Sequence, residues 1–185
     1  TVTQDIVKPI AKAGADGLLT CAVTSMVLDG SGSSSGGNYF YQWTTTTGQI
    51  LVGGNSLTPT VVAKGAYTLN VINNDNGCAS SDDVVVDANT TPPLAAIASP
   101  AIITCLQPTV TLNGAGSQNG LGISYSWTTQ GGNLLGPVSG QTAVANASGL
   151  YTLTVLNANN GCSSTASATV GSNVILPIAE AGTPF

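Results

Sequence analysis

The sequence repeats itself with a fixed period of 84 residues. The stretch GAYTLNVINNDNGC at 65–78 returns as GLYTLTVLNANNGC at 149–162, with no insertion or deletion between the two halves. The landmark pairs that keep this spacing are Pro9 and Pro93, Cys21 and Cys105, Trp43 and Trp127, Tyr67 and Tyr151, and Cys78 and Cys162. Because a shared pattern of apolar and turn residues specifies a shared structure, the chain must build one fold twice.

The period also predicts the domain boundaries. Residues 9–92 form a first repeat and residues 93–176 a second, while 1–8 match the end of a preceding repeat and 177–185 the start of a third. The stretch VDANTTPPLA marks the junction, since its prolines cannot continue a β-ladder. Partial repeats at both ends indicate a window from a longer array, or a subunit whose terminal strand completes a neighbour.

Each repeat has the pattern of an all-β domain. The runs VVVD, YTLNV, YTLTV and VTLNG alternate with period two and are rich in Val, Thr, Tyr and Leu, as half-buried strands are. The segments NNDNG and NANNG separate two such runs and predict hairpins, and Gly- and Ser-rich segments predict loops. About seven strands in 84 residues predict a β-sandwich for each repeat.

Composition excludes several classes of function. Charged residues make up 6% of the chain, with eight acids against three lysines, no arginine and no histidine, for a net charge of −5. Such a chain offers little positive potential to a phosphate backbone, so nucleic acid is not an expected partner. We find no signal peptide pattern and no apolar run long enough for a membrane span.

The tryptophans and two of the tyrosines are predicted to be structural. Trp43 and Trp127 lie on strands whose alternation sends the ring inward, where an aromatic ring buries about 200 Å². The alternative is a tryptophan that stacks on a sugar, which requires an exposed ring. Tyr67 and Tyr151 open a strand just after a glycine, which is the placement of a tyrosine corner that bonds nearby backbone.

The ordered motifs of both repeats resemble those of a known family of surface repeats. The first repeat has LTC, VLDGSGS, YQW, GAYTLNV and NGC, and the second has ITC, TLNGAGS, YSW, GLYTLTV and NGC. This set, which covers the whole chain, resembles the PKD-like and bacterial Ig-like repeats of very large Bacteroidetes surface proteins. The resemblance implies tandem Ig-like (PKD-like) β-sandwiches, a cell-surface setting, a gliding-associated or adhesive role and export by the type IX secretion route.

Two departures limit what the resemblance carries over. The PKD signature W-D-F-G-D-G reads WTTTTG and WTTQGG here, so neither acid-dependent chemistry nor calcium is expected at that loop. Leu28 with Leu69, and Leu112 with Leu153, stand where an antibody-type domain has its cross-sheet cysteine pair. We therefore expect a core without a disulfide, built on these four leucines.

An even number of cysteines in a Ser- and Thr-rich chain with few lysines points to an oxidising compartment and to disulfides. A zinc site is disfavoured, because the chain has no histidine and no C-x2-C pair. Two pairings compete: within a repeat, Cys21 with Cys78 and Cys105 with Cys162, or between repeats, Cys21 with Cys162. A disulfide needs Cα atoms about 4.4–6.8 Å apart, whereas in a strict Ig-like topology Cys21 and Cys78 lie toward opposite ends of the repeat. We favour the pairing within a repeat, which makes each repeat self-contained.

The acidic residues give little support for a metal or a catalyst. Asp5, Asp82, Asp83 and Asp87 lie near the repeat junctions, where calcium could stiffen the linker. The second repeat lacks the equivalents of the last three, so solvated charge is the favoured interpretation and no cofactor is predicted. Without histidine, and with Glu180 as the single glutamate, no familiar catalytic set can be assembled, and we expect no enzyme.

Two functions remain. The favoured one is a structural repeat region of an extracellular surface stalk, adhesin or filament, whose partners are neighbouring repeats of the same chain and further copies in a filament or array. Its logic is that a repeat with its own core adds length without a new folding problem. The alternative is a carbohydrate- or receptor-binding Ig-like module, such as an accessory module of a secreted hydrolase, whose variable loops bind surface glycans.

Overall fold

The computed structural model describes residues 4–175 together with residues 178 and 182. The chain divides into two compact units, Thr1–Thr90 and Thr91–Phe185. All regular secondary structure in the described residues is β-strand. The predicted start of a third repeat at 177–185 lies, apart from residues 178 and 182, outside the described residues.

The first unit has seven described strands. In chain order they are β1 (Gly17–Thr20), β2 (Met26–Val27), β3 (Tyr39–Thr45), β4 (Ile50–Val52), β5 (Thr60–Val61), β6 (Gly65–Asn73) and β7 (Ala79–Asn89). One sheet has the order β1-β7-β6-β3 and the other the order β2-β5-β4. All neighbours are antiparallel except β1 and β7, which pair in parallel with Thr20 opposite Asn89.

The second unit repeats this plan. Its strands are β8 (Ile103–Thr104), β9 (Val110–Asn113), β10 (Ile123–Gln130), β11 (Leu134–Leu135), β12 (Thr142–Ala145), β13 (Gly149–Asn157), β14 (Cys162–Val170) and β15 (Ser172–Asn173). Gly171 separates β14 from β15, and together these two strands occupy the place of β7. The pairing of β15 with β8 is again parallel, with Asn173 opposite Thr104.

Each unit has its own apolar core. In the first, Leu28, Trp43, Tyr67 and Leu69 are buried together with Val61 and Val71. These side chains come from both sheets, so the core fills the space between them. In the second unit the equivalent buried residues are Leu112, Trp127, Tyr151 and Leu153, with Ala145 and Val155.

Strand order identifies the fold of both units. Taking β2 to β7 as strands B to G, one sheet holds B, E and D and the other holds C, F and G, which is the arrangement of the immunoglobulin fold. Strand β1 adds to the second sheet beside G. The chain is therefore all-β and consists of tandem Ig-like β-sandwiches, with seven strands described in the first unit and eight in the second.

The segment before β1 is bonded to the first unit without forming a strand. Among the described residues 4–16, no residue has strand structure, although residues 1–8 were predicted to hold the last strand of a preceding repeat. The Val7 carbonyl instead accepts a hydrogen bond from Asn76 of the same unit, with the two atoms 3.0 Å apart. We call residues 4–16 of the first unit, and the equivalent residues 91–100 of the second, the lead-in segments.

Candidate functional site

In each sandwich, the hydroxyl of a buried tyrosine bonds two backbone groups. The Tyr67 hydroxyl donates to the Ala63 carbonyl, four residues earlier, and accepts from the Gln49 N–H at 2.9 Å. Tyr151 repeats both contacts, donating to the Ala147 carbonyl at 2.6 Å and accepting from the Asn133 N–H at 3.0 Å. Both rings are fully buried. The Tyr67 hydroxyl thus holds the loop between β3 and β4 to the segment just before β6. The Tyr151 hydroxyl does the same for the loop between β10 and β11 and the segment just before β13.

Glycine is required beside each of these tyrosines. A Cβ at Gly48 would lie 2.3 Å from the Tyr67 hydroxyl, and a Cβ at Gly65 would lie 2.6 Å from the Gly48 backbone nitrogen. The second unit has the same close approach between Gly132 and Gly149. These glycines are needed for space, since neither member of the pair has a positive φ.

The tryptophans are core residues. Trp43 is 4% exposed and donates its Nε1–H to the Ser56 carbonyl at 2.9 Å. Trp127 is 2% exposed and donates to the Gly140 carbonyl at the same distance. Because both rings are buried and their N–H groups are already bonded, neither offers a face on which a sugar could stack.

Two serines that sequence reasoning placed in loops are buried and hold the lead-in segments. The Ser33 hydroxyl accepts from the Lys12 N–H at 2.9 Å and donates to the Lys12 carbonyl. Ser117 makes the same pair of bonds with the backbone of Ala96. The signal that could have identified them is their spacing of 84 residues within segments that otherwise differ.

Two hairpin asparagines hold the lead-in segments a second time. Asn76 and Asn160 each lie in the hairpin before the last long strand, and each accepts a hydrogen bond from the cysteine N–H two positions later. Their side-chain amides donate to lead-in carbonyls, Asn76 to Val7 and Asn160 to Thr91, both at 3.0 Å. The chain therefore enters each unit beside this hairpin.

The cysteines contradict the pairing that we favoured. Cys78 and Cys105 carry free thiols, whereas Cys21 and Cys162 are disulfide-bonded. Each repeat thus contains one free and one bonded cysteine, so neither Cys21 with Cys78 nor Cys105 with Cys162 is formed. The prediction of disulfides within the repeats is wrong.

Topology explains why the pairing fails. Cys21 follows β1 directly, beside the end of β7, and its Sγ lies 3.8 Å from the Thr90 carbonyl oxygen. Cys78 directly precedes the 11-residue strand β7. At about 3.3 Å per residue, the two ends of β7 are about 35 Å apart, far beyond the reach of a disulfide. In the second unit, Cys162 begins β14 and Cys105 follows β8 beside Asn173, with the same consequence.

The acidic side chains near the repeat junction accept hydrogen bonds from their own unit. Asp82 accepts from the Ala13 N–H at 2.7 Å and Asp83 from the Thr68 hydroxyl at 2.6 Å. Asp5 and Asp87 accept from the N–H groups of nearby residues. Within the described residues, no three acidic or cysteine side chains form a group that could hold a metal ion.

One carboxylate has a shifted pKa. The hydroxyl and N–H of Ser31 both donate to Asp29 and lower the pKa of that carboxyl below its ordinary value, against a small opposing effect of burial. In the second unit Asn113 occupies the equivalent position and accepts from the Ala115 N–H in the same way. The carboxylate therefore serves as the acceptor of a turn, a role that an amide fills equally well.

Comparison with known proteins gives structural likeness alone. No model of a known protein family matches the chain, and no curated protein sequence matches it. Among solved structures, an I-band fragment of titin is 14% identical with a TM-score of 0.41, covering 92% of this chain and 67% of the titin chain. Domains 1–4 of Sidekick-1 are 12% identical with a TM-score of 0.42, covering 94% of this chain and 51% of the other.

The N-terminal four Ig domains of Dscam1 are 18% identical with a TM-score of 0.34, and the chain covers 48% of that structure. The chain thus spans about half the length of the Sidekick-1 and Dscam1 structures. All three are tandems of Ig domains, but the assignment of the fold to this chain rests on its own strand order. The described part of the chain holds no helix capable of crossing a bilayer.

Proposed function

We propose that this chain is a structural repeat region of an extracellular stalk, adhesin or filament, in which each sandwich acts as a spacer and assembly module. The residues that recur between the repeats support the proposal, because they are buried or bonded to backbone: Trp43 and Trp127, Tyr67 and Tyr151, Ser33 and Ser117. The residues that the two repeats share therefore serve core packing and fix the path of the backbone.

The observation that carries the proposal is where the chain enters and leaves each unit. It enters beside the hairpin of Asn76, which precedes β7, and leaves at Thr90, which follows β7. The strand between these points has 11 residues, so the two points are separated by about 35 Å. A unit that takes in the chain at one end and releases it at the other adds length to the polypeptide, which is what a spacer must do.

The parallel pairing of β1 with β7 suits such a unit to tension. A pull on the two ends of the unit draws β1 and β7 in opposite directions along their common axis, because the strands run in parallel. The four paired positions, from Gly17 with Val86 to Thr20 with Asn89, are then loaded together rather than one after another. In the second unit, β8 and β15 are arranged in the same way.

The cysteine chemistry supports an extracellular location. A disulfide persists in oxidising compartments and is reduced in most cytosols. The bonded state of Cys21 and Cys162 therefore favours a secreted or surface-exposed protein, and the low content of charged residues is compatible with close packing of many copies. Self-association into a filament is part of the proposal.

Lengthening the chain tests the spacer directly. A further copy of residues 93–176 is inserted after position 176, and the chain and its extended form are compared by small-angle X-ray scattering. We expect the maximum dimension to increase by about 35 Å, the length of one last strand. An unchanged maximum dimension, with the added copy folded, contradicts the spacer.

Location and assembly need native material. Antibodies raised against the chain are expected to label the outer surface of intact producing cells, and negative-stain microscopy is expected to show fibres or stalks. Uniformly dispersed short monomers would contradict assembly. Binding to a glycan array that is lost when the chain is denatured would instead support the binding-module alternative.

A further inference from the structure

Four asparagines of the chain are followed directly by a glycine. These Asn–Gly steps are Asn76–Gly77, Asn113–Gly114, Asn119–Gly120 and Asn160–Gly161. At such a step the backbone nitrogen of the glycine can attack the side-chain carbon Cγ of the asparagine, and glycine has no Cβ to hinder the approach. Whether a step reacts in the folded protein therefore depends on how the structure holds these two groups.

At three of the four steps the glycine nitrogen is held by a hydrogen bond. The Gly77 N–H donates to the Asn73 carbonyl at 2.8 Å, and the Gly161 N–H makes the equivalent bond in the second unit. The Gly114 N–H donates to the Gln141 carbonyl at 2.9 Å. Each of these nitrogens must leave its bond, by local opening of the structure, before it can attack.

The asparagine side chains of the same three steps are held as well. Asn76 and Asn160 each bond a lead-in carbonyl through the side-chain nitrogen and a cysteine N–H through the side-chain oxygen. The Asn113 oxygen accepts from the Ala115 N–H at 2.9 Å. A side chain bonded in this way cannot turn its Cγ toward the next backbone nitrogen without losing those bonds.

The fourth step, Asn119–Gly120, lies exposed in the loop between β9 and β10. Within the part of the chain that the structure describes, neither the Asn119 side chain nor the Gly120 N–H makes a hydrogen bond. A Cβ placed at Gly120 would have no atom within 4 Å, and the φ of this glycine is +125°. Both reacting groups are thus open to solvent and can approach each other without breaking a bond.

The flanks of this loop are fixed to the second unit. The Gln118 N–H donates to the Leu94 carbonyl at 2.9 Å. The Leu121 carbonyl accepts from the Asn159 side-chain amide at 3.2 Å. The two residues between these points can therefore change their covalent structure while the loop stays attached to its sandwich.

We propose that Asn119 is a modification site at which the folded chain deamidates, without an enzyme, to aspartate and isoaspartate. The Gly120 nitrogen gives its proton to hydroxide and attacks Asn119 Cγ. A C–N bond forms, the bond from Cγ to the side-chain NH2 breaks, and ammonia leaves with a proton taken from water, which regenerates hydroxide.

The product of this step is a five-membered succinimide ring, which water then opens. Breaking the ring bond between Cγ and nitrogen yields aspartate. Breaking the bond between the main-chain carbonyl carbon of Asn119 and nitrogen yields isoaspartate, whose backbone is longer by one CH2. Either product adds a carboxylate to a chain whose net charge is −5.

The first repeat has a similar backbone at this position but no amide. Ser35 and Gly36 are equivalent to Asn119 and Gly120. Gly36 also has a positive φ, of +137°, and its carbonyl accepts from the N–H three residues later, as the Gly120 carbonyl does. A serine side chain offers no carbonyl carbon to attack, so the modification is specific to the second repeat. The site lies within one unit and is independent of the proposed function.

The test ages the purified chain at mildly alkaline pH, once folded and once unfolded in guanidinium chloride. Digestion with pepsin at acidic pH, where ring formation is slow, and mass spectrometry then locate aspartate and isoaspartate. In the folded chain we expect conversion at Asn119 to be at least about tenfold faster than at any other Asn–Gly step, since the others require local opening. In the unfolded chain we expect this preference to disappear. A folded chain without the preference, or an unfolded chain that keeps it, overturns the proposal.

Two matched variants make the test specific. Asn119→Ser removes the amide and is expected to abolish the fast conversion. Ser35→Asn places an amide before Gly36, and we expect it to add a second fast site in the first repeat. Both positions are exposed, so neither substitution disturbs a core, and a cooperative thermal transition of each variant checks this. A folded Ser35→Asn chain without a second fast site would show that the open loop backbone does not decide the rate, and the proposal would be wrong.

Discussion

At the scale of single residues, the Tyr67 hydroxyl bonds the loop before β4 to the segment before β6. Tyr67 is fully buried, and its oxygen serves two backbone groups at once, the Gln49 N–H and the Ala63 carbonyl. A buried backbone group that loses its partner costs about 1–3 kcal/mol. The hydroxyl therefore stabilises the loop far more than its size would indicate.

We predict that Tyr67→Phe lowers the free energy of unfolding of the first unit by about 1–3 kcal/mol. The ring still fills its site, but Gln49 and Ala63 lose their shared partner. Urea unfolding followed by the fluorescence of Trp43, with Trp127 changed to Phe, measures the effect in the first unit alone.

Tyr39→Phe is the matched control, because Tyr39 is half-buried on β3 and lies away from the corner. We expect it to change the free energy of unfolding by less than about 0.5 kcal/mol. Equal losses in both variants would show that the corner hydroxyl has no special role.

The structural roles of Ser33 and Asn76 could not be predicted from the local sequence alone. Ser33 lies in a stretch of glycines and serines whose composition correctly predicts a loop. Its side chain is nevertheless buried and accepts a hydrogen bond from the backbone of Lys12. Hydrogen bonds between side chains and a distant segment leave no periodicity in the sequence. Only the comparison of the two repeats could have singled out Ser33 and Asn76 from their neighbours.

At the scale of elements, the contact between the β3–β4 loop and the start of β6 depends on two glycines. A Cβ at Gly65 would lie 2.6 Å from the backbone nitrogen of Gly48, which cannot move like the end of a flexible side chain. We predict that Gly65→Ala destabilises the first unit by about 1–3 kcal/mol, the range for overpacking. Urea unfolding of the purified variant measures it.

Gly37→Ala is the control for this prediction. No atom lies within 4 Å of a Cβ placed at Gly37, and no positive φ is recorded there. We expect no loss of stability, because the added methyl group meets open space. A loss as large as that of Gly65→Ala would mean that glycine is needed for backbone freedom throughout these loops and not for the close approach.

The strands themselves were largely predictable, whereas their partners were not. The alternation in YTLNV and YTLTV places Leu69 and Leu153 inward, and both are fully buried in long central strands. Nothing in the local sequence states that β1 pairs in parallel with β7, in which each partner lies 69 residues later in the chain, as Val86 does for Gly17. That pairing sets the Cys21 to Cys78 separation, which is why the disulfides within the repeats were predicted wrongly.

At the scale of the whole molecule, stability resides in two separate cores, neither of which contains a bonded cysteine. The buried clusters of the first and second units share no residue, and neither includes a bonded cysteine. The places that a cross-sheet disulfide takes in antibody domains are held by Leu28 with Leu69 and by Leu112 with Leu153, all buried. Each sandwich is thus held by packing and by its tyrosine corner.

Reduction of the chain is therefore expected to leave both sandwiches folded. In the presence of a phosphine reductant, the Trp43→Phe variant reports the second unit through Trp127, and the Trp127→Phe variant reports the first through Trp43. We predict a cooperative thermal transition in each variant with and without reductant, since the buried clusters of both units, at most 5% exposed, include neither bonded cysteine. Loss of the disulfide lowers the midpoint through the greater entropy of the unfolded chain. Loss of the transition in either variant on reduction would show that the disulfide is part of that unit's fold, and that the repeats are not self-sufficient links.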